Sequence, residues 1–399
     1  MNCKVPIVGN VYWIGANDRE TALFENYWPL DKGVSYNSYL INDEKVALVD
    51  TVKFNKTSQY MEKIRDVIGD KKIDYIIINH MEPDHSGSLK ELIHQYPDIK
   101  IVGNKKTFQF VKGFYDIVDN YYEINDGDVL DLGHHKIKFY TTPMVHWPET
   151  MMSYDMTEKV LFSGDAFGGF GALDGGIFDD EVNIDFYESE IRRYYTNIVG
   201  KYSPMVQKAL KKLSGVEIGY VCATHGPIWR ENPENIIKTY DDLSSYKSEE
   251  GVVIVYGTMY GNTAKMADYL SRIISEAGIK EVKVYDASKT HVSYIISDIW
   301  KYKGLVLGSC AYNTGVFPSM DSVLKKLEVI NLKDRYLGIF GCCSWSGGGV
   351  KGINAFAEKT NWELVEEPVE AVCTPKTEEF EKLDKIGREI ARKVKESFK

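Results

Sequence analysis

Cys-x-x-Cys motifs are missing from this chain. Its six cysteines, Cys3, Cys222, Cys310, Cys342, Cys343 and Cys373, include no Cys-x-x-Cys pair. A rubredoxin-type iron site needs two such pairs, so none is expected here. Long apolar runs are missing too: no stretch approaches the roughly 18 residues of a membrane span. The opening residues Met1 to Asn10 carry no long apolar segment and no cleavage signal, which places the expected location in the cytoplasm with reduced thiols. There is no basic block. Lys and Arg number 48 against 58 Asp and Glu, a formal charge of −10. That balance argues against nucleic acid as a partner. An acidic electron carrier would also be repelled overall and would need a local positive patch. Repeats and low-complexity tracts are absent.

What is present is enough apolar material for a large core: 44% of 399 residues are hydrophobic, room for two or three domains. Strand candidates in the first part are 11–14, 38–41, 46–49, 75–78, 137–140, 160–162 and 220–222. Helices are expected at 56–67, 88–95, 105–113, 188–199, 204–213 and 233–245. Sheets flanked by helices predict a layered α/β sandwich. The chain turns polar at Tyr246-Lys247-Ser248-Glu249-Glu250-Gly251, and the domain boundary is placed there, dividing 1–248 from 249–399. Beyond it, strands at 252–256, 281–285, 304–308, 336–341 and 369–373 alternate with helices near 262–277, 291–300, 319–328, 348–359 and 377–397. That rhythm describes a flavodoxin-like, doubly wound parallel sheet.

Chemistry concentrates in His80-Met81-Glu82-Pro83-Asp84-His85, directly after the apolar run Tyr75–Ile78. Further along come His146 in Met144-Val145-His146-Trp147-Pro148, Asp165 in Ser163-Gly164-Asp165, and His225 in Thr224-His225-Gly226. Each stands just after an expected strand, and ligands from separate strand ends can converge on one edge of a sandwich. These seven groups exceed what one ion needs, so two metals are expected to share them, with Asp165 as the bridge. A histidine- and carboxylate-rich set without thiolates suits divalent first-row metals, iron included. Zinc hydrolases on this kind of fold show His-x-His-x-Asp-His. Glu82 in place of the middle histidine adds negative charge and argues for redox chemistry. His94, His134, His135 and His291 are read as surface or structural, and Cys222 as core packing.

Three loops in the second part suggest a flavin. The first is Gly257-Thr258-Met259-Tyr260-Gly261-Asn262-Thr263, a cradle of small residues and hydroxyls at a helix N-terminus that suits a phosphate. The second is Ser309-Cys310-Ala311-Tyr312-Asn313-Thr314-Gly315. The third is Cys342-Cys343-Ser344-Trp345-Ser346-Gly347-Gly348-Gly349. All leave the carboxyl ends of strands, where doubly wound sheets bind ligands. Trp345 could lie against a planar ring with Tyr312 beside it, or be a core anchor. The expected cofactor is FMN, and a dinucleotide site is not indicated.

With these residues in order and spacing, nearly the whole chain resembles the flavodiiron proteins (A-type flavoproteins), in their minimal two-domain class. The resemblance implies a metallo-β-lactamase-like αββα diiron domain over 1–248 and a flavodoxin-like FMN domain over 249–399. It implies that His80, Glu82 and His146 hold one iron, that Asp84, His85 and His225 hold the other, that Asp165 bridges, and that Trp147 stands beside them. The diiron centre itself would be the catalyst, reducing dioxygen to water or nitric oxide to nitrous oxide. Electrons would come through FMN from an external donor, rubredoxin or a reduced deazaflavin. It further implies a head-to-tail homodimer or dimer of dimers. Glu149 stands where Asp is usual, and Cys310 where Pro is common. Two other readings are a dizinc hydrolase with a flavodoxin-like regulatory domain, separated by metal analysis, and a non-catalytic electron carrier, separated by an iron-free first domain.

Overall fold

The structure is a computed structural model and describes residues 4–399, so Cys3 lies outside the described residues. The chain forms two compact units, Met1–Ser245 and Tyr246–Lys399.

In the first unit a seven-stranded sheet runs in the order Val5–Val8, Val11–Trp13, Tyr39–Asn42, Val46–Val49, Tyr75–Ile77, Lys100–Gly103, Tyr121–Glu123. The first four are antiparallel neighbours, and from Val46–Val49 onward the pairing is parallel. A five-stranded sheet follows in the order Val129–Asp131, Lys136–Thr141, Met151–Asp155, Val160–Gly164, Tyr220–Ala223. Its last pair is parallel, so the chain leaves Val160–Gly164 and Tyr220–Ala223 at the same end. The two sheets meet through buried rings, with Tyr39 5.2 Å from Phe162. Val46-Ala47-Leu48-Val49 is buried throughout, as a strand with sheet neighbours on both edges and layers on both faces must be. The outer helices are amphipathic. Thr57–Ile68 turns Tyr60, Met61, Ile64 and Ile68 inward at helical spacing.

In the second unit the sheet order is Val282–Asp286, Glu249–Gly257, Tyr302–Tyr312, Tyr336–Cys343, with Glu363–Leu364 and Val369–Val372 both paired to the last of these. All these pairings are parallel. Strand order reverses about the first strand, the arrangement of flavodoxin-like sheets. Helices Asn262–Glu276 and Thr377–Glu396 bury Met266, Leu270, Ile274, Ile386, Ile390 and Val394 against Val252, Ile254, Val306 and Phe340. The αββα sandwich and the doubly wound sheet are both as expected. No helix among the described residues is long and apolar enough to cross a membrane.

Candidate functional site

The seven expected ligands come together, all of them buried. Each is delivered by a local feature. His80 follows the central strand Tyr75–Ile77, and Asp50 fixes its backbone: Asp50 Oδ1 accepts from Asn79 N–H at 2.8 Å and from His80 N–H at 3.3 Å. Pro83 then opens a single helical turn, Pro83–Ser86, which carries Asp84 and His85 away from Glu82. The two groups of expected ligands in this short motif therefore part at a proline suited to a first helical position. His146 lies in the connection between Lys136–Thr141 and Met151–Asp155, not directly at a strand end, and its peptide with Val145 is cis. Asp165 and His225 leave the parallel neighbours Val160–Gly164 and Tyr220–Ala223. Asn79 laces the two sheets beneath the site, donating to Phe162 O at 3.3 Å and accepting from Ser153 Oγ at 3.1 Å.

The side chains sort into two groups. His80, Glu82, His146 and Asp165 offer ligand atoms within 4.8 Å of one another, and so do Asp84, His85 and His225. Asp165 faces both. Its Oδ2 is 3.0 Å from His146 Nε2 and 3.5 Å from His80 Nε2, while its Oδ1 is 2.9 Å from His85 Nε2 and 3.7 Å from His225 Nε2. Glu82 Oε2 stands 3.2 Å from both His80 Nε2 and His146 Nε2. Asp84 Oδ2 stands 3.3 Å from His85 Nε2 and 3.4 Å from His225 Nε2.

In the first group His80 Nε2–Glu82 and His146 Nε2–Asp165 meet hydrogen-bond geometry, whereas in the second the approaches are too ill-directed to satisfy the atoms. Both oxygens of Asp84, His85 Nε2 and His225 Nε2 are buried without a hydrogen-bond partner. Orphaned buried polar atoms are rare and costly, and here they aim at one another across a small gap. A cation among Asp84, His85 and His225 would satisfy them. Two imidazoles are also held from behind. His80 Nδ1 is 2.8 Å from Glu149 Oε1, and His225 Nδ1 donates to Ser35 O at 2.7 Å. Both arrangements turn Nε2 inward, the orientation that metal-ligating histidines take from their outer partners. Thr224 Oγ1 donates to Asp165 Oδ1 at 2.6 Å.

The electrostatics agree. Burial alone would push the His85 and His146 imidazoles down, yet Asp84 and Asp165 hold His85 up at about 9, and Asp165 with Glu82 holds His146 there as well. Burial would raise the Asp165 carboxyl, but the imidazoles of His85 and His80, with His146, drive it well below the carboxylate range. So dense a negative field calls for positive charge at its centre. The donor set of imidazole and carboxylate, with no thiolate, fits two divalent first-row ions.

Around the centre, Trp147 sets its ring edge-on 5.1 Å from His80, and Phe24 stands 5.4 Å from His225. Glu82 and Asp84 open onto a cleft of about 1120 Å³ lined by Phe24, Glu25, Tyr36, Lys53, Phe114 and Tyr115 among others. The supporting roles of Glu149, Ser35, Asp50 and Asn79 are invisible in the sequence, because a lone polar residue carries no spacing signal. Of the remaining histidines, His291 caps the helix Val292–Lys301, its Nδ1 accepting from Ser293 N–H at 3.2 Å. His135 is buried against Asp155 at 2.6 Å, a structural pair. Cys222 is buried core, as expected.

In the second unit, Gly261 precedes helix Asn262–Glu276 with φ +87°, and its N–H donates to Thr258 Oγ1 at 3.1 Å. No side chain caps the start of that helix, so its N-terminus can face an anion. Ala311-Tyr312-Asn313-Thr314-Gly315 is a hairpin end: Tyr312 pairs with Gly315, and Asn313 and Thr314 both take positive φ, the two-residue turn such hairpins prefer. The third loop folds over it. A Cβ on Gly348 would meet Thr314 O at 2.2 Å. Trp345 and Tyr260 are each 88% exposed and Tyr312 42%, so Trp345 is no core anchor. Rings this large, left to water around one edge, fit a planar aromatic cofactor. Thr258, Met259, Tyr260, Asn262, Ala311 and Ser344 share one narrow cleft with Cys310, Cys342, Cys343 and Cys373. Gly261, Thr263, Tyr312, Asn313, Thr314, Gly315, Trp345, Gly347 and Gly348 are outside its lining.

Gly347, Gly349 and Gly352 do carry Gly-x-Gly-x-x-Gly spacing, which the sequence reading passes over. The structure gives these glycines another use. A Cβ on Gly349 would meet Ser309 O at 2.7 Å, and one on Gly347 would meet the Glu370 carboxylate at 2.7 Å. Close packing against neighbouring backbone and the Glu370 side chain accounts for glycine at both positions.

Comparison with known proteins matches both units. The ODP family beta lactamase profile matches residues 34–226 and the flavodoxin profile residues 254–382. The anaerobic nitric oxide reductase flavorubredoxin of Escherichia coli O1:K1 is 32% identical over 396 residues, covering 98% of this chain and 82% of the relative. The structure of rubredoxin oxygen:oxidoreductase from Desulfovibrio gigas aligns with a TM-score of 0.95 at 31% identity, over 99% of each chain. The flavodiiron protein of Giardia intestinalis aligns with a TM-score of 0.94 at 27% identity, over 98% of this chain and 97% of that one. A likeness that runs the length of both units places this chain in the flavodiiron protein family.

Proposed function

We propose that this chain is a flavodiiron oxidoreductase that reduces dioxygen to water, nitric oxide to nitrous oxide, or both. The single observation that carries the reading is Asp165, whose two oxygens face two separate ligand sets, one of them containing Glu82. In this reading His80, Glu82 and His146 hold one iron, Asp84, His85 and His225 hold the other, and Asp165 bridges. The diiron domain spans 1–248, and the FMN domain, with its three loops, spans 249–399. When bound, the iron pair and FMN supply the electron transfer that reduces the gas.

The chain's own residues set the conditions for it. Glu149 and Ser35 O fix the ring orientations of His80 and His225, so Nε2 of each points inward. Thr224 Oγ1–H neutralises part of the charge on Asp165 Oδ1. Phe24, Tyr36 and Tyr194 pack on His225 at ring distances of 5.4, 5.8 and 5.5 Å and exclude water from that side. The cleft beside Glu82 and Asp84 gives a small gas its route. Exposed Tyr260 and Trp345 would flank the flavin. The electron donor is rubredoxin or a reduced deazaflavin, the working assembly a head-to-tail homodimer or dimer of dimers, and the location the cytoplasm. The flavorubredoxin and rubredoxin oxygen:oxidoreductase relatives support this oxidoreductase over a dizinc hydrolase.

The test is anaerobic metal and flavin quantification followed by rapid-mixing oxidation with each gas. Two irons and one FMN per chain, with flavin reoxidation by at least one gas, are expected. A colourless protein with two zinc ions, inert to both gases, would overturn the reading.

A further inference from the structure

Of the five described cysteines, four line the flavin cleft: Cys310, Cys342, Cys343 and Cys373. They form two pairs of different character. Cys310 and Cys342 are buried register partners on neighbouring strands, and Cys342 Sγ lies 3.3 Å from Thr263 Oγ1. They belong to the packing under the first loop. Cys343 is half-buried and Cys373 exposed.

Backbone geometry brings this second pair together. Cys343 ends the strand Tyr336–Cys343 and registers with Val372, so the two chains run side by side at sheet spacing. Cys373 N–H donates to Cys343 O at 2.7 Å. Strand alternation alone would turn Cys373 to the face opposite Cys343. The chain leaves the strand at that point, with φ +64° at Cys373, and both residues line the same cleft. Hydrogen-bonded neighbours on adjacent strands fall within the Cα spacing a disulfide accepts, about 4.4–6.8 Å. Each cysteine also leads into a flavin loop. Ser344 and Trp345 follow Cys343, and Thr374, next to Cys373, bonds Asn262 of the first loop at 3.4 Å.

We propose that Cys343 and Cys373 are a reversible disulfide site on the wall of the flavin cleft, closed by hydrogen peroxide, and that closing it weakens the hold on FMN. The inference rests on the flavin reading of this unit. The exposed Cys373 sulfur attacks the peroxide O–O bond and becomes a sulfenic acid, and the departing oxygen leaves as water after taking a proton. Cys343 sulfur then attacks that sulfur. The S–S bond forms, the S–O bond breaks, and a second water leaves with the Cys343 proton. Two thiols give up two electrons and the peroxide accepts them. Burial, and then the Glu370 carboxylate, push the Cys343 thiol up, which makes it the resolving partner. The new bond ties the root of the Ser344–Gly348 loop to the segment that touches Asn262, so two of the three loops lose their freedom to close on a ring.

The test uses the full chain loaded with FMN. Flavin content is measured first, so a preparation that never holds FMN fails the earlier reading before this one is tried. Hydrogen peroxide is then added without oxygen, and unreduced peptides are mapped by mass spectrometry while released flavin is followed by fluorescence. A Cys343–Cys373 linked peptide is expected, reversed by dithiothreitol, with FMN released several-fold faster from the linked protein. Cys373→Ser should abolish both the link and the faster release, whereas Cys342→Ser should still form the link. A link between Cys310 and Cys342, oxidation stopping at unlinked sulfinic acid, or equal flavin release from Cys373→Ser would overturn the proposal.

Discussion

Glu149 shows how much one side chain can decide. It is buried, and its Oε1 serves two donors at once: the His80 ring at 2.8 Å and the Met81 N–H at 3.0 Å. Its Oε2 is buried without a partner. A charged hydrogen bond of this kind is worth about 1.5–3 kcal/mol, and the His80 orientation depends on it. Glu149→Gln keeps the size but offers a weaker acceptor. Iron affinity should fall about 10–100-fold, the usual cost of losing an outer partner of a metal-bound histidine. Glu149→Asp keeps the charge on a shorter arm and should recover most of it. Competition titration with a chelator measures both variants. Equal iron affinity in wild type and Glu149→Gln would show that His80 is oriented by something else. Sequence alone gave Glu149 no such place, since its partner lies 69 residues away and the pairing exists only after two sheets have closed.

The loops of the second unit are elements whose fit depends on close backbone approach. Gly348 is the sharpest case, because any side chain there runs into the Thr314 carbonyl at 2.2 Å. Gly348→Ala must push the third loop off the hairpin. FMN retention should drop, while iron content stays at the wild-type level because no metal-facing residue is disturbed. Trp345→Ala probes the same loop differently. The residue is 88% exposed, so its removal should change fold stability by no more than about 0.5 kcal/mol. Flavin affinity should still fall, and ultrafiltration with absorbance at the flavin band reads it. Unchanged affinity in both variants would remove these loops from the site. At this scale the second unit was plain in the sequence. Its strands are long, apolar and separated by helices of regular length, as in Tyr302–Tyr312 and Tyr336–Cys343. The first unit was less so. Lys100–Gly103, Tyr121–Glu123 and Val129–Asp131 are short or carry charge at their ends, and periodicity over three or four residues decides little. Met151–Asp155 is buried on both faces yet includes a serine and an aspartate, whose partners only the fold supplies. The helix expected over 188–199 instead runs Ile184–Tyr194 and widens into a π turn at Tyr195–Val199. The clustering of seven expected ligands was nonetheless legible: four fall in the dense stretch 80–85, and His146, Asp165 and His225 stand in the order and spacing that the family resemblance implies.

At the scale of the whole chain, each unit is compact in itself, and loss of one cofactor should be felt in the unit that holds it. The first unit buries Glu82, Asp84 and Asp165 among four imidazoles. Without cations, those carboxylates face orphaned nitrogens and one another, and the fold is stabilised only as far as protons can substitute. Ions that bind the folded unit and not the unfolded chain add RT ln(1 + [L]/Kd), about 2.7 kcal/mol at a hundredfold excess over Kd. Stripping iron with a chelator should therefore lower the unfolding transition of residues 1–245 by several degrees and leave that of residues 246–399 in place. Asp165→Ala should do the same without any chelator, since it removes the one group shared by both ligand sets, and FMN should remain bound. Hydrogen exchange resolved by peptide separates the two units. Faster exchange confined to segments around 80–86, 146, 165 and 225 is the expected result. Equal loosening across the flavin unit would mean that the two cores are one cooperative structure, and that the metals hold up more of the chain than their own sandwich.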